Sequence, residues 1–401
     1  MRAPPRPPDW AAKLFSVGVT GTNGKTSTTG MVAALLGLLA RPVARVTTLG
    51  CFLDEQRLSV ADHYDGFLAT MRRCLDAGGR YAALELTSEA LALGFAAAWP
   101  CRIAAFTNLS LDHSDAHGSP EHYLASKAQL FMALPPGGCA VLNACDENAE
   151  LLRDVLEEGV EVVRYGVKSR GPARGVLDLA AEDVEPSLLG TQARLLPSAR
   201  FAGLPARLEL RAIGSIFVEN ALAALGVALT LGVSADVACQ LLAKLPAPPG
   251  RFEVVSRNPT VVIDYAHTPD ALQRTLVTAR ALCNGTLSVV FGAGGDRDRN
   301  KRPLLGAAAQ AADKIVLTSD NPRGEAPESI IEEIATGITR HADVLRELDR
   351  ARAIELAVAG AGPDDVIVIA GKGHEQTQEA HGQKRPFSDA AIVLRNNKSA
   401  R

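Results

Sequence analysis

GVTGTNGKTST, residues 18–28, follows the apolar run FSVGV (15–19) and opens a helical pattern, and its reading decides the fold of this chain. A glycine-rich turn between a strand and a helix aims backbone N–H groups and the positive end of the helix dipole at one place, which suits a phosphate group. The candidate cradle is Thr20, Gly21, Thr22, Asn23, Gly24 and Ser27, with Lys25 as a point charge and Thr26 as a hydroxyl for Mg²⁺. The strict spacing G-x-x-x-x-G-K-[ST] asks for glycine at position 19, where the chain has Val19. A glycine-rich turn with an incidental lysine is the bland alternative.

Outward from this loop, apolar runs alternate with helical patterns: VARVTT (43–48), YAALEL (81–86), IAAFTN (103–108) and CAVLN (139–143), with helices expected from near residues 24, 65, 88 and 121. The alternation predicts βαβ units on a mainly parallel sheet. A polar Gly/Pro-containing tract at about 167–207 interrupts it and reads as a β-rich excursion, followed by an Ala/Leu-rich helical pair at about 219–244. LPAPPGR (245–251) is the best candidate linker. Beyond it the rhythm restarts with TVVIDY, LSVVFG (287–292), KIVLT (314–318) and VIVIA (366–370), so the expected domains are 1–250 and 251–401.

Composition agrees with a globular chain. Its 401 residues exceed the roughly 150 of one ordinary domain, and 47% are apolar, enough for a large core. A net charge of −3 provides no basic field for a nucleic-acid backbone. No stretch has the ~20 apolar residues of a membrane span. The cysteine count of 7 is odd and contains no C-x-x-C pair, which reads as reduced thiols in a cytoplasmic protein.

Two further clusters carry chemistry. ELTSEAL (85–91) and NLSLDHSDAHG (108–118) precede SKAQLF (126–131). Glu85 ends a predicted parallel strand, where carboxylates face the ligand crevice and can hold Mg²⁺. His113 and His117, beside Asp112 and Asp115, read equally well as metal or phosphate partners and as structural side chains, and Lys127 reads as a solvated helix residue. In the second half, DYAHTPDAL (264–272), GAGGDRDRNKRP (292–303), SDNPRGE (319–325) and AGKGHE (370–375) place Arg297, Arg323 and Lys372 beside Asp320 and Glu375. Such a set could clamp a zwitterion, guanidinium forks taking carboxylate and acids taking ammonium. Solvated loops of mixed charge are the alternative.

TGTNGKT, FTNLSLDHSDAHG, SKAQLF, VENALAAL (218–225), GRFE (250–253), DYAHTPDAL, GGDRDRNKRP, DNPR and GKGHE occur in the order found in the Mur ligases, and the chain resembles their MurE type over about residues 15–395. The family's own loop reads TGT-x-GK[TS], which accounts for Val19. The resemblance implies a P-loop central domain with a parallel sheet, a Rossmann-like C-terminal ligase domain, and an ATP-dependent, ADP-forming amide ligase working through an acyl phosphate. It assigns Lys25 and Thr26 to phosphates and a first Mg²⁺, and Glu85 to the same ion. His113 and an N-carbamylated Lys127 go to a second ion. Asn220 and His267 go to adenine, Arg251 to the γ-phosphate and Asp264 to ribose. Arg297, Asp320, Asn321, Arg323, Gly371 and Glu375 match the amino-acid pocket, and the DNPR form resembles enzymes that take meso-diaminopimelate.

The departures point elsewhere. About 17 residues precede the phosphate loop, where the family carries a UDP-gripping domain, so that domain is expected to be missing. Ala61, Asp62 and His63 replace a Thr-Thr-Pro stretch, Leu93 and Phe95 replace Gln and Arg, and Phe217 replaces an asparagine. Each of the first five exchanges removes a polar contact to the muramoyl peptide, so the expectation is a ligase joining an amino acid to a smaller acid other than UDP-N-acetylmuramoyl dipeptide. Its competitors are a true cell-wall ligase and a non-catalytic ATP-binding scaffold. The expected partners are small molecules, with neither nucleic acid nor membrane among them.

Overall fold

The computed structural model describes residues 6–61, 63–110, 120–340 and 343–399. The first sheet contains β1 (Phe15–Thr20), β2 (Val43–Thr47), β3 (Gly50–Leu53), β4 (Gln56–Arg57), β5 (Tyr81–Glu85), β6 (Ile103–Phe106), β7 (Cys139–Asn143), β8 (Glu161–Val167), β9 (Leu179–Ser187), β10 (Gly190–Leu195) and β11 (Arg207–Leu210). Their spatial order is β11-β10-β9-β8-β7-β6-β1-β5-β2-β3-β4. The strands from β9 to β2 pair in parallel, and antiparallel hairpins extend both edges. The strands flanked on both faces are continuous apolar runs, as parallel strands covered by helices must be. The expected excursion at 167–207 is the β9–β11 edge, while the β3–β4 hairpin had no expectation.

β1 lies between β5 and β6, so the phosphate loop leaves the middle of the sheet where two crossovers diverge. That is where open α/β sheets bind ligands. The helix Lys25–Leu36 packs beside the helix Ser215–Thr230, whose Ala- and Gly-rich surface lies close on the sheet: an added Cβ on Gly226 would meet Val141 of β7 at 2.8 Å.

The second sheet contains β12 (Glu253–Arg257), β13 (Thr260–Asp264), β14 (Leu287–Phe291), β15 (Lys314–Leu317), β16 (Val344–Arg346) and β17 (Val366–Ala370), in the order β12-β13-β17-β14-β15-β16. β13, β17, β14 and β15 are parallel neighbours. The four charged motifs of the second half follow these strands, so pairing brings loops more than 100 residues apart in sequence to one edge. A separate hairpin, β18 (Thr377–Ala380) and β19 (Gln383–Pro386), lies beyond the β17 loop. Among the described residues, no helix is long and apolar enough to cross a membrane.

Candidate functional site

Gly24 precedes the helix Lys25–Leu36 with φ +85°, a left-handed conformation, and a Cβ there would collide with Asn220 Oδ1. The loop is braced from the end of β6. Asn108 Oδ1 accepts from Asn23 N at 2.9 Å, Asn108 Nδ2 donates to Asn23 O at 3.0 Å, and Thr107 Oγ1 donates to Asn23 O at 2.7 Å. Lys25 Nζ donates to the carbonyls of Gly21 (3.0 Å) and Thr22 (2.8 Å). Glu85 Oε2, at the end of β5, accepts from Thr48 N at 3.0 Å, and Thr48 Oγ1 lies 3.5 Å from Thr26 Oγ1. Thr26, Thr48 and Glu85 thus present hard oxygen donors beside the phosphate loop, a set that fits Mg²⁺. Thr48 lay outside the motifs and carried no sequence signal.

Lys127 is 1% exposed, donates to Gly21 O at 2.9 Å and stands 4.0 Å from the Tyr123 ring centroid. The reading of a solvated helix residue is therefore corrected: the fold draws this lysine beneath the phosphate loop. Its expected companion His113 lies outside the described residues, as do Asp112, Asp115 and His117.

Lys25, Thr26, Glu85, Lys127, Asn220, Arg251, Asp264 and His267 line one cavity of about 310 Å³, together with Thr22, Asn23, Gly24 and Ser27. Asn220 Oδ1 is buried with no hydrogen-bond partner among the described residues, an acceptor that lies against Gly24 of the phosphate loop. Phe217 supplies an apolar wall. The Arg251 guanidinium stands 4.1 Å over the Tyr265 ring, and burial lowers its pKa against the pull of Asp264. Asp264 accepts from Phe252 N (2.6 Å), Ala266 N (2.7 Å) and Thr275 Oγ1 (3.2 Å), while burial raises its pKa against Arg251 and these bonds. Thr20 is placed differently from its expected phosphate role. Its hydroxyl donates to Leu86 O at 2.9 Å inside the sheet, because the last residue of β1 is still paired.

The residues matched to the amino-acid pocket form a neighbouring cluster. Gly371 N donates to Asp264 O at 3.1 Å, and the His374 and Tyr265 ring centroids are 5.4 Å apart. Gly371 takes φ +109°, and a Cβ there would meet Asp320 Oδ2 at 2.5 Å. Asn321 Nδ2 donates to Glu375 Oε2 at 2.9 Å. Arg323, itself at φ +50°, donates through Nη1 to Gly295 O at 2.7 Å, with Nε 3.8 Å from Glu379. Arg297 stays exposed at the rim. Burial would raise the Glu375 pKa, but the hydrogen bond and charge of Lys372, with Asn321 and His374, bring it below the ordinary value. Lys372 does not stand among the clamp's reaching cations: it is 0% exposed and bonded to Asn321 and Glu375. Arg302, in the GAGGDRDRNKRP motif, is also fully buried, paired with Glu325 and Glu333.

The family profile of the Mur ligase middle domain matches residues 19–228, and that of the Mur ligase, glutamate ligase domain matches 250–373. The UDP-N-acetylmuramoyl-L-alanyl-D-glutamate–2,6-diaminopimelate ligase of Aquifex aeolicus is 39% identical over 388 residues, which is 95% of this chain and 77% of the relative. The ligase of that name from Pseudomonas putida is 39% identical over 94% of this chain and 77% of its own length. A solved structure of such a ligase superposes with TM-score 0.65 at 32% identity, covering 96% of this chain and 79% of that one. The folylpolyglutamate synthase of Mycobacterium tuberculosis, complexed with ADP and AMPPCP, shares the fold with TM-score 0.71 at 20% identity over 98% of this chain and 92% of its own.

These relatives overturn the expectation of an acid other than UDP-N-acetylmuramoyl dipeptide, since likeness to ligases named for that acid runs along nearly the whole chain. Two of the exchanged positions, Phe95 and Leu93, have structural roles of their own. Phe95 belongs to an aromatic group with Phe67 (centroids 5.1 Å) and Tyr64 (6.4 Å), and Phe67 in turn meets Trp99 at 4.7 Å. Leu93 closes the helix Ser88–Ala92, its N–H donating to Glu89 O. Asp62 lies outside the described residues.

Proposed function

The chain belongs to the Mur ligase family, ATP-dependent and ADP-forming amide ligases that use Mg²⁺, and from that premise we propose that it joins 2,6-diaminopimelate to UDP-N-acetylmuramoyl-L-alanyl-D-glutamate. The observation that carries this reading is the meeting of two sites. The cavity holding Lys25, Thr26, Glu85, Lys127, Asn220 and Arg251 abuts the cluster of Asp320, Asn321, Arg323 and Glu375 through Gly371 N and Asp264 O.

In this proposal residues 1–250 and 251–401 are the two domains. The phosphate loop and Lys25 hold the triphosphate, Asn220 and His267 meet the adenine, Asp264 the ribose, and Arg251 the γ-phosphate. The acid's carboxylate attacks the γ-phosphorus, ADP leaves, and the amine displaces phosphate from the acyl phosphate with loss of a proton. Lys25 and Arg251 offset charge on the transferred group, and Arg323 and Glu375 fix the amine's own carboxylate and ammonium ends. Thr26 and Glu85 would hold one Mg²⁺, and His113 with N-carbamylated Lys127 a second. Magnesium, when bound, neutralises phosphate charge and aligns the reacting oxygens. A carbamate on Lys127 keeps an N–H for Gly21 O while replacing a repelling cation with oxygens. A reaction that consumes ATP fits the cytoplasm.

The test supplies purified protein, ATP and Mg²⁺ with UDP-N-acetylmuramoyl-L-alanyl-D-glutamate and 2,6-diaminopimelate, and follows phosphate release and the tripeptide mass. Stoichiometric formation of both supports the reading. Phosphate release that ignores the amino acid, or no tripeptide, overturns it.

A further inference from the structure

Lys372 lies between two glycines of positive φ, Gly371 (+109°) and Gly373 (+51°), which turn the chain so that its side chain runs inward. It is 0% exposed, yet carries an ammonium. A buried charge is tolerated only where paired and hydrogen-bonded. Its nitrogen lies 3.0 Å from Asn321 Oδ1 and 2.7 Å from Glu375 Oε2, while Asn321 Nδ2 lies 2.9 Å from the same Glu375 oxygen. The three side chains form a closed triangle joining the loop after β15 to the loop after β17.

The triangle reaches further. Asn321 Oδ1 also accepts from Glu379 N at 2.9 Å, and Glu379 O accepts from Arg323 N at 3.1 Å. Glu375 N donates to Lys372 O at 3.0 Å, closing the turn that presents the Glu375 carboxylate. One buried ammonium is therefore bonded to two of the amino-acid-pocket residues and connected to a third.

Resting on the amino-acid pocket proposed above, we infer that Lys372 is a positioning residue for the incoming amine. It holds Asn321 and Glu375 in their receiving geometry and touches no substrate. Since the reacting amine must be presented to an acyl phosphate at a set distance, a loosened Glu375 weakens amino-acid binding and leaves the nucleotide cavity as it was.

The experiment compares Lys372→Met, Glu375→Gln and the double variant by KM for 2,6-diaminopimelate and for ATP, with melting curves as a folding control. Lys372→Met is expected to raise the diaminopimelate KM about tenfold or more, with the ATP KM within about twofold. The double variant should lose less than the sum of the two single losses, because part of what Lys372 orients is the carboxylate that Glu375→Gln has already removed. Additive losses, or equal rises in both KM values, overturn the inference while leaving the pocket intact. A Glu375→Gln enzyme with an unchanged diaminopimelate KM overturns the pocket assignment instead. If Lys372→Met does not fold, Lys372→Gln, which keeps an uncharged donor, goes through the same cycle, and the same outcomes support or overturn the inference.

Discussion

Lys127 illustrates what one side chain is asked to do. Buried at 1% exposure between Gly21 O and the Tyr123 ring, its nitrogen shares the floor of the cavity with Lys25 and Arg251. As a carbamate it serves as a ligand in the proposed reaction. Lys127→Ala is expected to abolish turnover while a fluorescent ATP analogue still binds, and added formate should restore part of the rate; full activity of the variant would refute the role. At Arg323, truncation removes a fork held by Gly295 O and Glu379. Loss of such a charge-assisted contact costs about 2 kcal/mol or more, tens-fold in affinity. Arg323→Ala should raise the diaminopimelate KM by that factor with the ATP KM nearly unchanged, and matched rises in both would count against it.

Between elements, buried arginines join pieces of chain that no local signal connects. Arg350 Nη2 and Asp389 Oδ2 pair at 2.8 Å, each side chain 0% exposed, and Arg350 also donates to Ala370 O at the end of β17. Removing one partner strands the other, so Asp389→Ala should lose about 3 kcal/mol in denaturant unfolding. A loss below about 1 kcal/mol would show the pair to be dispensable. Arg302 likewise ties the helix Lys301–Ala309 to Glu325 and Glu333. The hydrogen bond from Arg302, with that from Asp296 N, overcomes desolvation and lowers the Glu325 pKa to about 2. A carboxyl depressed in the folded state contributes stability above its unfolded pKa, and that contribution fades as pH falls toward the folded value. Melting temperature should therefore drop between about pH 4.5 and pH 2, and Glu325→Gln should flatten that part of the profile. An identical acid limb in the variant would disprove the link.

Across the whole molecule, polar bridges connect the phosphate loop to the second half of the chain. Asn23 Nδ2 donates to Asp270 Oδ2 at 3.3 Å, Asp270 pairs with Arg274 at 2.9 Å, and Arg274 lies 3.5 Å from Glu219, which Arg170 meets at 2.8 Å. Burial raises the Glu219 pKa against these two arginines. Arg274→Ala leaves that carboxylate one cation short and cuts the bridge, with an expected loss of about 2 kcal/mol and a higher ATP KM, since Arg274 also lines the nucleotide cavity. Unfolding curves and ATP kinetics measure the two effects separately; an unchanged ATP KM would mean the bridge does not shape the cavity.

The strand-helix alternation, the phosphate loop and the ordered motifs were legible in the residues because each is a local signal: apolar periodicity, a turn chemistry, a run of donors at set spacing. They identified the family and part of the cavity lining, and the resemblance supplied roles that spacing alone left open. The packing role of Phe95, the placement of Thr48 opposite Glu85, the inward turn of Lys372 and the burial of Lys127, Arg302 and Arg350 came only from tertiary structure. Each depends on which strand lies beside which, and on partners such as Asp389, 39 residues from Arg350. A charged side chain in a sequence looks the same whether it reaches solvent, substrate or another charge. Burial and distance separate those fates, and both are properties of the folded chain.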